Sequence, residues 1–192
     1  MTCIIGYVEN GKITMGGDSA GVREYFSVQR ADEKVFIVGE FLFGICGSFR
    51  AGNLIRYKWT VPDRTEGMTE DEYIHTAFID SIIALLRKNH NARVENNETG
   101  METRIMVGYR GKLYTVEEDF QIAKTFLPFW SIGCGADFAR GALHALEIGK
   151  YPSKTKEAID KLTPKERIAI ALNAACEFSG WVKEPFIIKT AP

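Results

Sequence analysis

The chain has 192 residues, 45% hydrophobic and 26% charged, which is enough for one well-buried core and too little for two ordinary domains, so one domain spanning 1–192 is expected. Its 24 basic and 25 acidic residues leave a net charge of −1, which gives no broad electrostatic reason to bind nucleic acid or anionic lipid. Without a basic leader ahead of an apolar stretch, or any run of about 18 apolar residues, a cytoplasmic protein is expected.

In chain order, residues 2–8 read as a buried strand, 9–12 as a hairpin turn around Asn10-Gly11, and 13–18 as the returning strand. A second hairpin pairs residues 35–38 with 41–46 around Gly39-Glu40, and Gly47-Ser48 opens a helical segment towards Trp59. Four strands are thus expected before the first helix. Thr69 and Glu72 form a capping box for a helix to about Lys88, with Ile74, Phe78, Ile82 and Leu85 as its buried stripe. The polar, Asn-rich residues 89–101 read as a surface loop. Residues 104–109 and 112–116 form a further hairpin around Arg110-Gly111, and residues 129–133 a strand of that second group. A helix follows over 136–148 and closes at Gly149. Thr163-Pro164-Lys165-Glu166 caps another helix through Phe178, and residues 185–189 make a closing strand. Two groups of antiparallel strands with helices between and after them imply an α+β, four-layer αββα sandwich.

The four cysteines, at 3, 46, 134 and 176, show no C-x-x-C pairing and no metal-like spacing to the three histidines. Reduced thiols, with no metal and no cofactor, are expected. Thr2 stands behind Met1, and Asp18 and Lys34 follow it at two equal strides of sixteen residues. A threonine made N-terminal by loss of Met1 carries a hydroxyl and a free α-amine on one residue, so nucleophile and proton acceptor come already joined.

Thr2, Gly16-Gly17-Asp18-Ser19, Glu33-Lys34-Val35, Gly44-Ile45-Cys46-Gly47 and Ile132-Gly133-Cys134-Gly135 with Ala139 and Gly141-Ala142-Leu143 resemble the proteasome β-type subunits and the bacterial HslV peptidase, which are N-terminal nucleophile hydrolases. The resemblance extends over nearly the whole chain. It implies a threonine endopeptidase with Thr2 as nucleophile, Lys34 tuning the α-amine, Asp18 holding Lys34, and an oxyanion met by a backbone amide near Gly47. It also implies a homo-oligomeric ring and, for folded protein substrates, a separate ATP-dependent unfoldase, because no phosphate-binding Gly-x-x-x-x-Gly-Lys-[Ser/Thr] is present.

Two positions depart from the family pattern. Cys134 stands where a serine is usual in the turn near the α-amine, and sulfur is a weaker hydrogen-bond partner. In Cys176-Glu177-Phe178-Ser179-Gly180, Ser179 is matched, whereas Cys176 takes the aspartate position and Glu177 is about 100° of helix out of register. Two alternatives follow from the same residues: an amidohydrolase of the superfamily acting on a small amide, and a non-catalytic structural ring subunit that keeps Met1.

Overall fold

The computed structural model describes residues 2–23, 26–95 and 98–191. Met1, whose removal the expected chemistry needs, lies outside the described residues. The elements are β1 (Cys3–Glu9), β2 (Lys12–Gly17), β3 (Ala20–Arg23), β4 (Phe26–Gln29), β5 (Val35–Val38), β6 (Phe41–Gly47), α1 (Phe49–Lys58), α2 (Glu70–Tyr73), a π-helical turn at Ile74–Phe78, α3 (Ile79–Lys88), β7 (Arg93–Glu95) and β8 (Glu98–Gly100). There follow β9 (Thr103–Tyr109), β10 (Lys112–Val116), β11 (Ile122–Lys124), β12 (Phe129–Gly133), α4 (Ala136–Ile148), α5 (Ser153–Asp160), α6 (Pro164–Phe178) and β13 (Ile187–Thr190).

Two antiparallel sheets carry the fold, one ordered β12-β1-β2-β13 and the other β11-β10-β9-β6-β5. Three apolar clusters mark its three inter-layer seams. Ile4, Met15, Leu42, Met106 and Ile132 fill the space between the sheets. Cys3, Ile5 and Tyr7, on the opposite face of β1, pack against Ala139, Leu143, Ile168 and Leu172 of α4 and α6. The outer face of the second sheet meets α1, the π turn and α3 through Phe41, Phe43, Trp59, Phe78 and Ile82. This is the αββα sandwich. Side chains alternate across a strand, so β1 is apolar from Cys3 to Val8 because both of its faces are covered there.

The second sheet's outer seam is the aromatic one. Phe41 stacks on Tyr109 at 4.5 Å and on Phe78 at 5.2 Å between ring centroids, arrangements that contribute about 0.5–1.5 kcal/mol each beyond area burial. The β1–β2 turn carries Asn10 and Gly11 at φ 51° and 72°, the left-handed pair that a tight two-residue hairpin needs. Both capping boxes form, at Thr69 with Glu72 and at Thr163 with Glu166.

Several elements differ from the sequence expectation. Six strands precede the first helix, because residues 20–29 hold the β3–β4 hairpin; its exposed Phe26 and Val28 give it no buried stripe to read. The polar stretch expected as a loop contains the β7–β8 hairpin. The β5–β6 hairpin belongs to the same sheet as β9 and β10, and β12 joins β1 instead. Leu86 takes the fully buried position that the spacing assigns to Leu85, which is only partly covered, four residues after Ile82.

Candidate active site

Sheet register brings the three evenly spaced residues together. The β1–β2 ladder pairs Ile4 with Gly17, which sets Asp18, just past β2, beside the first residues of β1. The Cys3 amide donates to Asp18 Oδ1 at 2.9 Å, and the Lys34 ammonium donates to that same oxygen at 2.8 Å. Asp18 Oδ2 accepts from the Ala20 amide at 2.8 Å. Lys34 stands immediately before β5, where its carbonyl accepts from the Ile45 amide. The Lys34 and Asp18 side chains are 2% and 0% exposed, so the pair is fully desolvated. Its charges are compensated by each other and by two amide dipoles, which a buried pair requires.

Thr2 is buried and lines a pocket together with Lys34, Phe36, Ile45 and Gly47. Gly47 ends β6 at φ 115°, and a Cβ there would come within 2.2 Å of the Glu102 carbonyl oxygen. This backbone angle and the Glu102 carbonyl together demand a glycine here. The next residue, Ser48, N-caps α1 by accepting from the Ala51 amide, and its own amide is directed to Glu102 O and Thr103 Oγ1.

The opposite flank is made of sulfur and hydroxyl. The Thr2 backbone N–H donates to Cys134 Sγ at 3.2 Å, and the Cys134 thiol donates back to Thr2 O at 3.5 Å. Ser179, the C-cap of α6, has its hydroxyl 4.0 Å from that sulfur. Gly133, at φ 101°, passes so close that a Cβ would stand 2.1 Å from Thr2 O. Cys176 directs its thiol to Val182 O at 3.4 Å, and Glu177 is exposed. All six residues picked out in the sequence therefore surround the start of β1: Thr2, Asp18, Lys34 and Gly47 on one side, Cys134 and Ser179 on the other.

No protein-family model and no curated protein matches this sequence. Solved structures do match. BPH of Thiobacillus denitrificans, solved alone and in complex with epoxomicin, superposes with a TM-score of 0.77 at 16% identity, covering 98% of this chain and 97% of that one. Eukaryotic HslV from Trypanosoma brucei gives 0.67 at 14% identity over 98% of each chain. Anbu, an ancestral beta-subunit from Yersinia bercovieri, gives 0.64 at 9% identity over 100% of this chain and 82% of that one. The chain has the proteasome-like, HslV-like fold.

Within this proteasome-like fold, the Thr2 pocket also has charged walls, Asp32 and Glu33, to which the sequence assigned no role. Asp32 takes two bonds from Arg30, at 2.6 and 2.7 Å, and Glu33 pairs with Arg56 at 2.9 Å and Lys189 at 3.0 Å. The Arg30 hydrogen bonds hold the Asp32 carboxyl below its usual range. The Arg30 guanidinium lies 4.0 Å over the Phe49 ring. Only the adjacency of Asp32 and Glu33 to Lys34 signals this in the sequence, because the partners of Glu33 come from α1 and β13. Burial pushes the Cys3 and Cys46 thiols up. Among the described residues, no group of three or more His, Cys, Asp or Glu side chains could hold a metal ion, and no helix is long and apolar enough to cross a membrane.

Proposed function

We propose that this chain, once Met1 is removed, is an N-terminal threonine peptidase with Thr2 as its nucleophile. The observation that carries the reading is the single carboxylate oxygen of Asp18 shared by the Cys3 amide and the Lys34 ammonium. It fixes a buried cation against the residue that follows the nucleophile.

In the proposed reaction the Thr2 α-amine takes the proton from Thr2 Oγ1, directly or through a water, as Oγ1 attacks the scissile carbonyl. The nearby Lys34 charge favours the neutral amine, whose ordinary pKa is about 7.7–8.0, so the base is available near neutral pH. Negative charge on the tetrahedral oxygen is met by a backbone amide near Gly47. The protonated amine then gives its proton to the leaving amine, and an ester to Thr2 remains. Water, deprotonated by the same amine, attacks the ester and restores the hydroxyl. Cys134 and Ser179 orient the α-amine, the sulfur more weakly than a hydroxyl would. Asp18 holds Lys34.

Ring assembly into a homo-oligomer, protein or peptide substrates and a separate ATP-dependent unfoldase complete the proposal. Restricting access by assembly suits a broadly specific peptidase in the cytoplasm. The BPH structure in complex with epoxomicin makes that compound the natural probe. Intact-mass analysis after incubation with epoxomicin, alongside fluorogenic-peptide turnover and a solution size measurement, tests the reading. A covalent adduct on the residue 2–12 tryptic peptide, with parallel loss of turnover by a multimeric species, is expected. Absence of both adduct and turnover from protein that starts at Thr2 contradicts it.

A second reading draws on Cys134 and Cys176 at the two departing positions: a structural ring subunit without catalysis. A mass that includes Met1, measured on protein from the native host, favours it.

A further inference from the structure

The catalytic proposal gives Cys46 no role, yet its position is unusual. Cys46 and Cys134 line one open cavity of about 340 Å³, together with Gly47, Gly133 and Arg104. Cys46 Sγ lies 3.2 Å from where a Cβ on Gly133 would stand, and Gly133 is the chain neighbour of Cys134. Cys134 Sγ, in turn, touches both Thr2 N and Thr2 O. Two thiols from distant parts of the chain, at the ends of β6 and β12, thus face one space beside the nucleophile. Both are free, and they belong to no metal-holding group among the described residues.

We propose that Cys46 and Cys134 are a redox-active pair, joined into a reversible disulfide by a hydroperoxide. For the effect on turnover, this rests on Thr2 being the nucleophile; the disulfide itself does not. Cys134 is the exposed member, whereas Cys46 is half-buried and burial holds its thiol protonated, so Cys134 reacts first. Its thiolate attacks one oxygen of hydrogen peroxide, the O–O bond breaks, and Cys134 sulfenic acid and water form. Cys46 sulfur then attacks the sulfenic sulfur, the S–O bond breaks, and a second water leaves with the Cys46 proton. Two thiols and one peroxide give one disulfide and two waters, the two electrons passing from sulfur to peroxide oxygen.

The bond pulls Cys134 Sγ away from its 3.2 Å contact with Thr2 N and ties it to the residue preceding Gly47. Both the partner of the α-amine and the approach to the oxyanion amide are disturbed together. Cys134 sits between Gly133 and Gly135, neither of which has a side chain to resist the rotation. In a reducing compartment such a bond is transient and is reversed by thiol exchange.

The test uses the reduced full-length protein treated with hydrogen peroxide and digested with trypsin without reductant. Cleavage after Lys34 and Arg50, and after Lys124 and Arg140, isolates each thiol in its own peptide. The expected product is peptide 35–50 joined to peptide 125–140, two hydrogens lighter than their sum, with peptide turnover lost and restored by dithiothreitol. Cys46→Ala is expected to abolish the joined peptide and to keep untreated turnover. Sulfinic or sulfonic acid on Cys134 with no joined peptide in the wild-type protein overturns the proposal, as does joining of Cys134 to Cys3 or Cys176. A joined peptide from protein that shows no turnover before or after reduction leaves the thiol pair standing and removes the hydrolase reading.

Discussion

Thr2 has a charged flank and a neutral flank, and the two are built differently. Towards β2 and β5, Asp18 and Lys34 meet at 2.8 Å with side chains 0% and 2% exposed, and amides complete the carboxylate's shell. Towards β12 and α6, the Thr2 N–H meets Cys134 Sγ at 3.2 Å, the Ser179 hydroxyl lies 4.0 Å from that same sulfur, and Cys134 is open to solvent. Charge-assisted bonds in a dry site are short and strong, and those to a thiol are weak. The first flank therefore holds a buried cation firmly in place near Thr2, and the second holds the Thr2 backbone N–H more loosely.

Five substitutions separate these contributions, in falling order of effect. Thr2→Ala removes the group that both flanks serve, so peptide turnover should vanish. Stability should fall by only about 1 kcal/mol, as for an ordinary substitution, which thermal unfolding would register. Substitution on the charged flank should damage both properties. Asp18→Asn leaves a buried ammonium, and Lys34→Met leaves a buried carboxylate that keeps its two amide donors. Either break should cost about 3–5 kcal/mol by urea unfolding, with Lys34→Met at the lower end. The loss of amine tuning in Lys34→Met should lower kcat by about 10²–10⁴. Wild-type turnover in Lys34→Met would sever the charged flank from the chemistry.

On the neutral flank, Cys134→Ser restores a hydroxyl against the α-amine. Turnover should rise, and stability should change by no more than about 1 kcal/mol, the usual net worth of one hydrogen bond. Unchanged turnover would mean that sulfur serves as well as oxygen there. The smallest effect belongs to Arg30→Gln at the pocket wall. The hydrogen bond from Arg30 lowers the Asp32 carboxyl in the folded chain, so its stabilisation is complete above the unfolded value of about 3.9 and is lost as pH falls through the lower folded value. Asp32 is 39% exposed, and screening keeps the effect small. The urea midpoints of wild type and variant should differ slightly at neutral pH and converge in acid.

The two flanks were also unequally legible in the sequence. The sixteen-residue strides from Thr2 to Asp18 to Lys34 could be seen because hairpin geometry returns nearby chain to the same place, and the capping boxes at Thr69 and Thr163 were local in the same sense. The pairing of β12 with β1 joins Cys3 to Gly133, and no local pattern encodes a partner that far away. Strands were accordingly grouped by chain order, which sent β12 to the wrong sheet. The hairpins β3–β4 and β7–β8 were missed because solvent covers much of them and no buried periodicity marks them. The ion pairs of Glu33 were not legible because its cationic partners Arg56 and Lys189 lie on α1 and β13, and the local Arg30–Asp32 pair carries no mark that it faces a pocket. Cys46 read only as one of four reduced, unpaired thiols; the fold puts it on one cavity with Cys134.

The central claim is that one residue supplies both the attacking oxygen and the amine that takes its proton, and that Met1 blocks the second. The most direct measurement compares fluorogenic-peptide turnover by two preparations differing only in Met1, each verified by intact mass. Turnover confined to the preparation that begins at Thr2, and abolished there by Thr2→Ala, is the predicted result. Equal turnover by the preparation that keeps Met1 would contradict it, because an amide nitrogen cannot act as the base.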